Sequence, residues 1–363
     1  MLAGMQDYLL HIGANPNRGN HQLSQRGQQM VYETRELLSQ FLGIGHPNKI
    51  SFTYNATYAI NTLLSGFLNP FDHIITSSYD HNAVVRPLHH LSKKANITYD
   101  VWKCDLKGQF NLADLEKLLT PKTRLLIFSH ASNVIGSLIP LNEVAMFARK
   151  KKIAFALDCT QTAGHIDLEL ESLGIDMAAG TCHKALLGPT GLGFLYIKNP
   201  DLVSPFVQGG GGFLASSLDQ PETSPAKFEA GTINFLGLSA LNSSLKWLSV
   251  KKNEIRSHHQ QLTQHLRYEL LKIPGLILYG TDNNGSIPII SFNIKDIAPS
   301  LIESYLEINH QLIVRSGLQC APLMHEALNT LPDGAVRVSL GPFNRATHVT
   351  KLVKALWDLK SYS

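Results

Sequence analysis

The stretch DMAAGTCHKALLGPTGLGFLYI, residues 176–197, decides how the chain is read. Two apolar runs, 176–181 and 191–197, each have the length of a buried strand. The turn between them holds Lys184, with Thr181 and His183 before it and Gly188-Pro189 after it. A lysine where a buried strand ends stands close to low-dielectric surroundings, which disfavour its charged form. Surface lysines are ordinary, but one in a bed of small residues needs a chemical reason.

Outward from this stretch, short apolar runs alternate with helical periodicity. The strand-like runs are 50–54, 73–77, 97–103, 124–130, 153–158, 176–181 and 191–197. Helical spacing predicts helices at 21–43, 56–68, 81–93, 111–119 and 141–151. Alternation of this kind predicts an α/β fold: a mostly parallel central sheet with helices on both faces. A Gly/Pro/Ser-rich region at 208–232 leads into a long helical stretch over 234–272. Strands near 276–280, 287–294, 312–315 and 335–340, with helices near 298–309 and 345–360, read as a smaller α+β C-terminal domain. The expected division is a large domain over 20–245 and a small domain made of 1–19 and 246–363.

Composition narrows the function classes. Of 363 residues, 44% are hydrophobic and 17% charged, enough for a sizeable core. Net charge is +4 without a dense basic block, so nucleic acid is not an expected partner. No apolar run reaches the length of a membrane span, and the N-terminus does not read as a signal peptide. The four cysteines, Cys104, Cys159, Cys182 and Cys320, are scattered and form no CxxC, which suits a reducing cytoplasm. Sixteen histidines include no HExxH, so no catalytic metal is expected. GPTGLG at 188–193 departs from G-x-G-x-x-G and precedes a strand, so it is no dinucleotide fingerprint. GGGG at 209–212 reads as a pliable loop.

In open α/β sheets, ligands bind outside the carboxyl ends of the strands. The residues at those ends are Asn55-Ala56-Thr57, Asp80-His81-Asn82, Ser132-Asn133, Asp158 with Gln161, and Thr181, His183 and Lys184. Each has an ordinary use: Asn55 or Thr57 as a helix cap, Asp158 as a cap, either histidine as a satisfied structural ring. Together they are the parts that a pyridoxal 5'-phosphate site needs. An amine reacts with the aldehyde, a carboxylate keeps the pyridine nitrogen protonated, a flat ring stacks, and a helix N-terminus receives the phosphate.

The sequence resembles the pyridoxal phosphate-dependent class V aminotransferases and, within them, the cysteine desulfurases. The resemblance runs over nearly the whole chain. It is carried by GANPNRGNH (13–21), YETRELL (32–38), SFTYNAT (51–57), DHNAVVRPL (80–88), SHASNVIGS (129–137), LDCTQTAG (157–164), the opening stretch, FEAGTIN (228–234), VRSGLQCAPL (314–323) and VRVSLGPFN (336–344). It implies Lys184 as the Schiff-base lysine, Asp158 as partner of the pyridine nitrogen and Gln161 as donor to the ring hydroxyl. It implies His81 stacked on the ring and acting in catalysis, and Ala56, Thr57, Thr181 and His183 around the phosphate. Thr232 resembles a residue that reaches the neighbouring subunit's phosphate, which implies a homodimer. Asn133, Arg315 and Arg337 are implied as substrate contacts, Asn133 as a cofactor contact as well, and the arginines as planar forks for a carboxylate. Cys320 matches the cysteine that accepts sulfur, and it sits in what reads as a loop.

The implied reaction converts L-cysteine to L-alanine, leaving sulfur on Cys320 as a persulfide for an acceptor protein or for iron–sulfur cluster assembly. Lys184 is the implied base at Cα and the Cys320 thiolate the nucleophile. Other readings are a selenocysteine or cysteine-sulfinate lyase, another class V aminotransferase, or an N-terminally truncated, non-catalytic homologue. The last arises because the family pattern opens with a strand and an Asn-Ala-Ala turn, whereas the resemblance here starts at the helix that follows. Gln319 stands where relatives often have His, and Gln cannot titrate.

Overall fold

A computed structural model describes residues 1–16, 19–212, 216–281 and 285–361. The helices are α1 (Leu2–Asp7), α2 (Gln22–Leu42), α3 (Ala56–Phe67), α4 (Asn82–Lys94), α5 (Leu112–Lys117), α6 (Leu141–Lys151), α7 (Leu170–Leu173), α8 (Phe235–Leu270), α9 (Pro299–His310), α10 (Pro322–Ala327) and α11 (Ala346–Ser361). The strands are β1 (Ile50–Thr53), β2 (His73–Ser77), β3 (Thr98–Trp102), β4 (Thr123–Ser129), β5 (Ala154–Asp158), β6 (Met177–Thr181), β7 (Gly193–Ile197), β8 (Leu276–Tyr279), β9 (Ile289–Ile294) and β10 (Val336–Ser339).

Seven strands form one sheet in the order β1-β7-β6-β5-β4-β2-β3. Its pairs are parallel from β3 to β6; β7 runs antiparallel to both β6 and β1. The mostly parallel sheet expected from the alternation is therefore present. Its inner strands read as unbroken apolar runs because both faces are covered. Alternation along β4 shows the two sides: Leu126 and Phe128 join a core with α2, α6 and α8, while Leu125 and Ile127 join one with α3 and α4.

The second sheet is antiparallel, in the order β10-β9-β8, and shares a third core with the C-terminal half of α8, α9 and α11. The expected strand at 312–315 is not formed. Only Arg315 bridges, to Arg337, and Ile313 is 88% exposed, so a β-branched run without a neighbour to pair with stays irregular. Helices α1, α7 and α10 were not expected from the periodicity. All three are short, and α1 lies against α8 so closely that a Cβ on Gly4 would collide with the Ser243 hydroxyl.

Local chemistry sets the ends that matter for the site. Asn55 caps α3 by accepting from Tyr58 N (2.8 Å), and His81 caps α4 by accepting from Ala83 N at Nδ1 (3.0 Å). Asn234 caps α8 through Gly237 N (2.9 Å). The chain before α8 is tied down by a buried ion pair, Arg35 on α2 with Glu229 at 2.7 and 3.2 Å. Phe52 N donates to the same carboxylate (2.7 Å), and the guanidinium lies 4.6 Å over the Phe52 ring. Removing one partner of such a pair strands the other charge in the core. Glu229→Ala is expected to lower stability in urea unfolding by about 3–5 kcal/mol; a loss below about 1 kcal/mol, the range of exposed pairs, would show that the pair carries no such weight.

Candidate active site

The site lies where β4, β5 and β6 end together. The ladder sets Ser129 beside Asp158 and Asp158 beside Ala179, two residues before Thr181. Beyond these ends opens a cavity of about 240 Å³ lined by Asn55, Ala56, Thr57, His81, Asn133, Asp158, Thr160, Gln161, Thr181, His183 and Lys184, with Ala83, Ser129 and Ala131. A larger cavity, about 520 Å³, opens at the other end of the sheet beside Ala154, Met177 and Ile197. It holds none of this set, so the smaller one is the chemical site.

Lys184 is largely withdrawn from water, and burial lowers its pKa from the ordinary lysine value. Arg337 and Arg315 push in the same direction, while the Asp158 carboxylate and Cys320 oppose them. The result is an amine with a larger neutral fraction than a surface lysine, fit to act as nucleophile or base. Asp158 is buried, and Thr160 N donates to its Oδ1 (2.8 Å).

His81 is held by its neighbour in sequence. Asp80, fully buried, accepts from Ser77 N (2.6 Å), Ser77 Oγ (3.0 Å), Thr76 Oγ1 (2.7 Å) and Ser129 N (2.6 Å). Burial pushes its carboxyl up to about 6 against these hydrogen bonds, which leaves it mostly ionised at neutral pH. Asp80 thereby clasps the ends of β2 and β4 and fixes where His81 begins α4. Burial also lowers the His81 pKa, so the ring is neutral near pH 7. Because Nδ1 accepts from Ala83, the ring proton sits on Nε2.

Around the N-terminus of α3 lie Thr57, Thr181 and His183. The Thr181 hydroxyl meets His183 Nδ1 at 2.9 Å and Leu192 O at 3.2 Å. Opposite, Asn133 Nδ2 donates to Gln319 O (2.8 Å) and Arg337 Nη1 to Asn133 O (2.9 Å). Burial and the neighbouring Arg315 pull the Arg337 pKa below its ordinary value. Half-buried Arg337 and exposed Arg315 bring two guanidiniums near each other, an arrangement suited to an anion.

Cys320 is exposed and faces a crevice of about 510 Å³ that shares Thr57, His81 and Ala83 with the cavity. The other three cysteines are buried: burial pushes Cys104 up to about 11 and Cys182 to about 12, and Cys159 also rises well above its ordinary value. Of the four thiols, only Cys320 is reachable.

Thirteen residues were singled out in the sequence. The structure brings Ala56, Thr57, His81, Asn133, Asp158, Gln161, Thr181, His183 and Lys184 to one cavity, and sets Arg315, Arg337 and Cys320 at its edge. It does not bring Thr232 there: this residue is exposed ahead of α8. Thr160 and the clasp of Asp80 were missed as site residues. The Thr160 hydroxyl is a buried orphan in the cavity wall, as is Asn133 Oδ1, and Arg337 Nε has no partner either. Nothing in a threonine two residues past a strand end separates it from an ordinary turn residue. Among the described residues, no group of three His, Cys, Asp or Glu is placed to hold a metal ion, and no helix is long and apolar enough to cross a membrane.

A sequence profile for Aminotransferase class-V matches residues 1–352. The chain belongs to the class-V aminotransferase family. Within it, a probable cysteine desulfurase of Methanothermobacter thermautotrophicus is 30% identical over 99% of this chain and 91% of its own length. A cysteine desulfurase of Escherichia coli O157:H7 is 31% identical over 96% of this chain and 87% of its own. The apo cysteine desulfurase of Thermococcus onnurineus NA1 superposes with a TM-score of 0.93 at 28% identity, covering 100% of this chain and 91% of that one. The cysteine desulfurase CsdA of Escherichia coli, in an S-sulfonic acid form, gives 0.89 at 26% identity, covering 99% and 91%. This class-V chain thus shares its fold from end to end with cysteine desulfurases.

The electrostatics of Lys184 can be checked in the protein free of cofactor. In NMR of reductively 13C-methylated protein, the Lys184 signal is expected to titrate below those of the exposed lysines. Asp158→Asn should lower its midpoint further, because the carboxylate opposes the burial effect. A midpoint that rises or stays in the variant would contradict this.

Proposed function

We propose that this chain is a pyridoxal 5'-phosphate-dependent cysteine desulfurase that stores sulfur on Cys320. The observation that carries the reading is the meeting of Lys184, Asp158 and a reachable Cys320 at one strand-end cavity. The donor set suits the cofactor. Asp158 suits a protonated pyridine nitrogen, and the N-terminus of α3 with Thr57, Thr181 and His183 suits a phosphate. The orphaned Asn133 Oδ1 and Thr160 Oγ1 are polar atoms that a bound group would satisfy. When bound, the cofactor supplies an aldehyde for amines and an electron sink for charge developing at the substrate.

The chain's own residues do the rest. Arg337 and Arg315 bind the carboxylate of L-cysteine and orient it. The neutral amine of Lys184 takes the proton from Cα. His81, carrying a proton on Nε2, is placed to hold or deliver one beside the cavity. The Cys320 thiolate attacks the substrate sulfur; a new S–S bond forms as the Cβ–S bond breaks, the electron pair left on Cβ takes a proton, and Lys184 returns a proton to Cα. In balance, L-cysteine and the Cys320 thiol give L-alanine and the Cys320 persulfide, with no external oxidant or reductant. An acceptor thiol, on a protein partner, then removes the terminal sulfur.

The exposed Thr232 lies outside this chain's cavity, which fits the reading that it serves a second copy in a homodimer. Half-buried Tyr58 on α3 packs edge-on against exposed Tyr54 and exposed Phe206, an aromatic surface suited to such a contact.

Two variants separate this reading from the lyase and non-catalytic ones. Lys184→Ala is expected to abolish the visible absorption band of the cofactor-loaded protein and alanine formation. Cys320→Ala should keep the band and lose alanine formation from L-cysteine by at least about 100-fold. Alanine production by Cys320→Ala at the unmodified rate would assign a lyase instead, and bound cofactor with no alanine from the unmodified protein would assign a non-catalytic role.

A further inference from the structure

Gln319 and Cys320 both have left-handed backbones, φ 43° and 58°, although neither is glycine. Successive side-chain-bearing residues adopt this conformation only when their surroundings over-determine it. Four hydrogen bonds do so here. The Gln319 carbonyl accepts from Asn133 Nδ2 (2.8 Å), and the Cys320 carbonyl from Asn82 N (2.8 Å), the residue after His81. The Gln319 side chain, 3% exposed, donates from Nε2 to Ala335 O (2.8 Å) and accepts at Oε1 from His325 Nε2 (2.9 Å).

The directions of these bonds are fixed. Because the amide nitrogen serves a carbonyl, Oε1 faces His325 and can only accept, so His325 carries its proton on Nε2. His325 is fully buried, and burial pushes it down to about 4, so the ring is neutral. Its Nδ1 therefore accepts from the Thr330 hydroxyl (2.7 Å). Thr330, His325 and Gln319 form one buried chain under the turn that presents Cys320. None of the three touches the cavity.

We infer that His325, acting through Gln319, is a positioning residue for sulfur transfer: it holds the 319–320 turn so that the Cys320 thiol stays presented to the crevice. Buried polar groups fully satisfied in one direction rigidify what they carry, and a nucleophile displaced by an ångström loses about two orders of magnitude. The inference rests on Cys320 being the sulfur acceptor.

The test uses the full chain loaded with pyridoxal phosphate and mixed rapidly with L-cysteine. The change in visible absorbance reports substrate reaching the cofactor; quenching and mass spectrometry report persulfide on Cys320. His325→Phe and Gln319→Met each remove the Gln319–His325 bond, the first exchanging one flat ring for another and the second one unbranched side chain for another. Both are expected to leave the rate and half-saturating cysteine concentration of the absorbance change intact and to slow persulfide formation by about 10- to 100-fold. His325→Gln, which keeps a side-chain N–H, should recover most of the rate. If His325→Phe fails to load cofactor, Gln319→Met decides from the other side of the same bond. Persulfide at the unmodified rate in Gln319→Met, or a parallel fall of absorbance change and persulfide in both variants, would overturn the inference. Failure of the underlying reading shows separately, as absence of persulfide in the unmodified protein.

Discussion

The parallel ladder through β4, β5 and β6 is the constraint on which the site depends. It ends three strands at one level and so places Ser129, Asp158 and the approach to Lys184 side by side. Asp158 closes β5 and Lys184 follows shortly after the end of β6, so the paired backbone that sets register fixes where both begin. The Asp80 clasp extends the same logic to β2, joining the ends of β2 and β4 through one carboxylate and delivering His81 to the cavity rim. Burial of these strand ends then does chemical work by lowering the pKa of Lys184.

The two ends of the reaction are built differently. The strand ends form a buried bed on regular elements, whereas Cys320 stands on an irregular turn near the second sheet. That turn is connected to the bed by a short series of bonds: Asn82 to the Cys320 carbonyl, Asn133 to the Gln319 carbonyl, and Arg337 to the Asn133 carbonyl. Backbone atoms receive these bonds, so the connection does not depend on the side chain at position 319. What that side chain adds is the link to His325 behind it.

Much of this was legible in the sequence because the signals are local. The apolar runs either side of Lys184 are strands whose faces are both covered, and polar residues after a parallel strand have few places to go other than the ligand end of the sheet. What escaped depends on distant partners. The 312–315 run has strand composition but finds a partner only at Arg315. The antiparallel placement of β7 between β6 and β1 joins segments some 140 residues apart, and no periodicity encodes that pairing. Gln319 reads as a loop residue and His325 carries no signal of its own in the sequence, yet both are buried, because each satisfies the other. Asp80 escaped as a clasp for the same reason, since two of its four donors are backbone N–H groups that sequence cannot direct.

The central claim is that sulfur from L-cysteine passes to the thiol of Cys320 at a site organised by Lys184 and Asp158. Peptide mass spectrometry of the cofactor-loaded protein after a single turnover with 35S-labelled L-cysteine tests it most directly. The account predicts one labelled sulfur on the peptide containing Cys320, released by dithiothreitol, and one alanine formed for each. Label on Cys104, Cys159 or Cys182 instead, or alanine formed with no label on any cysteine, would contradict it.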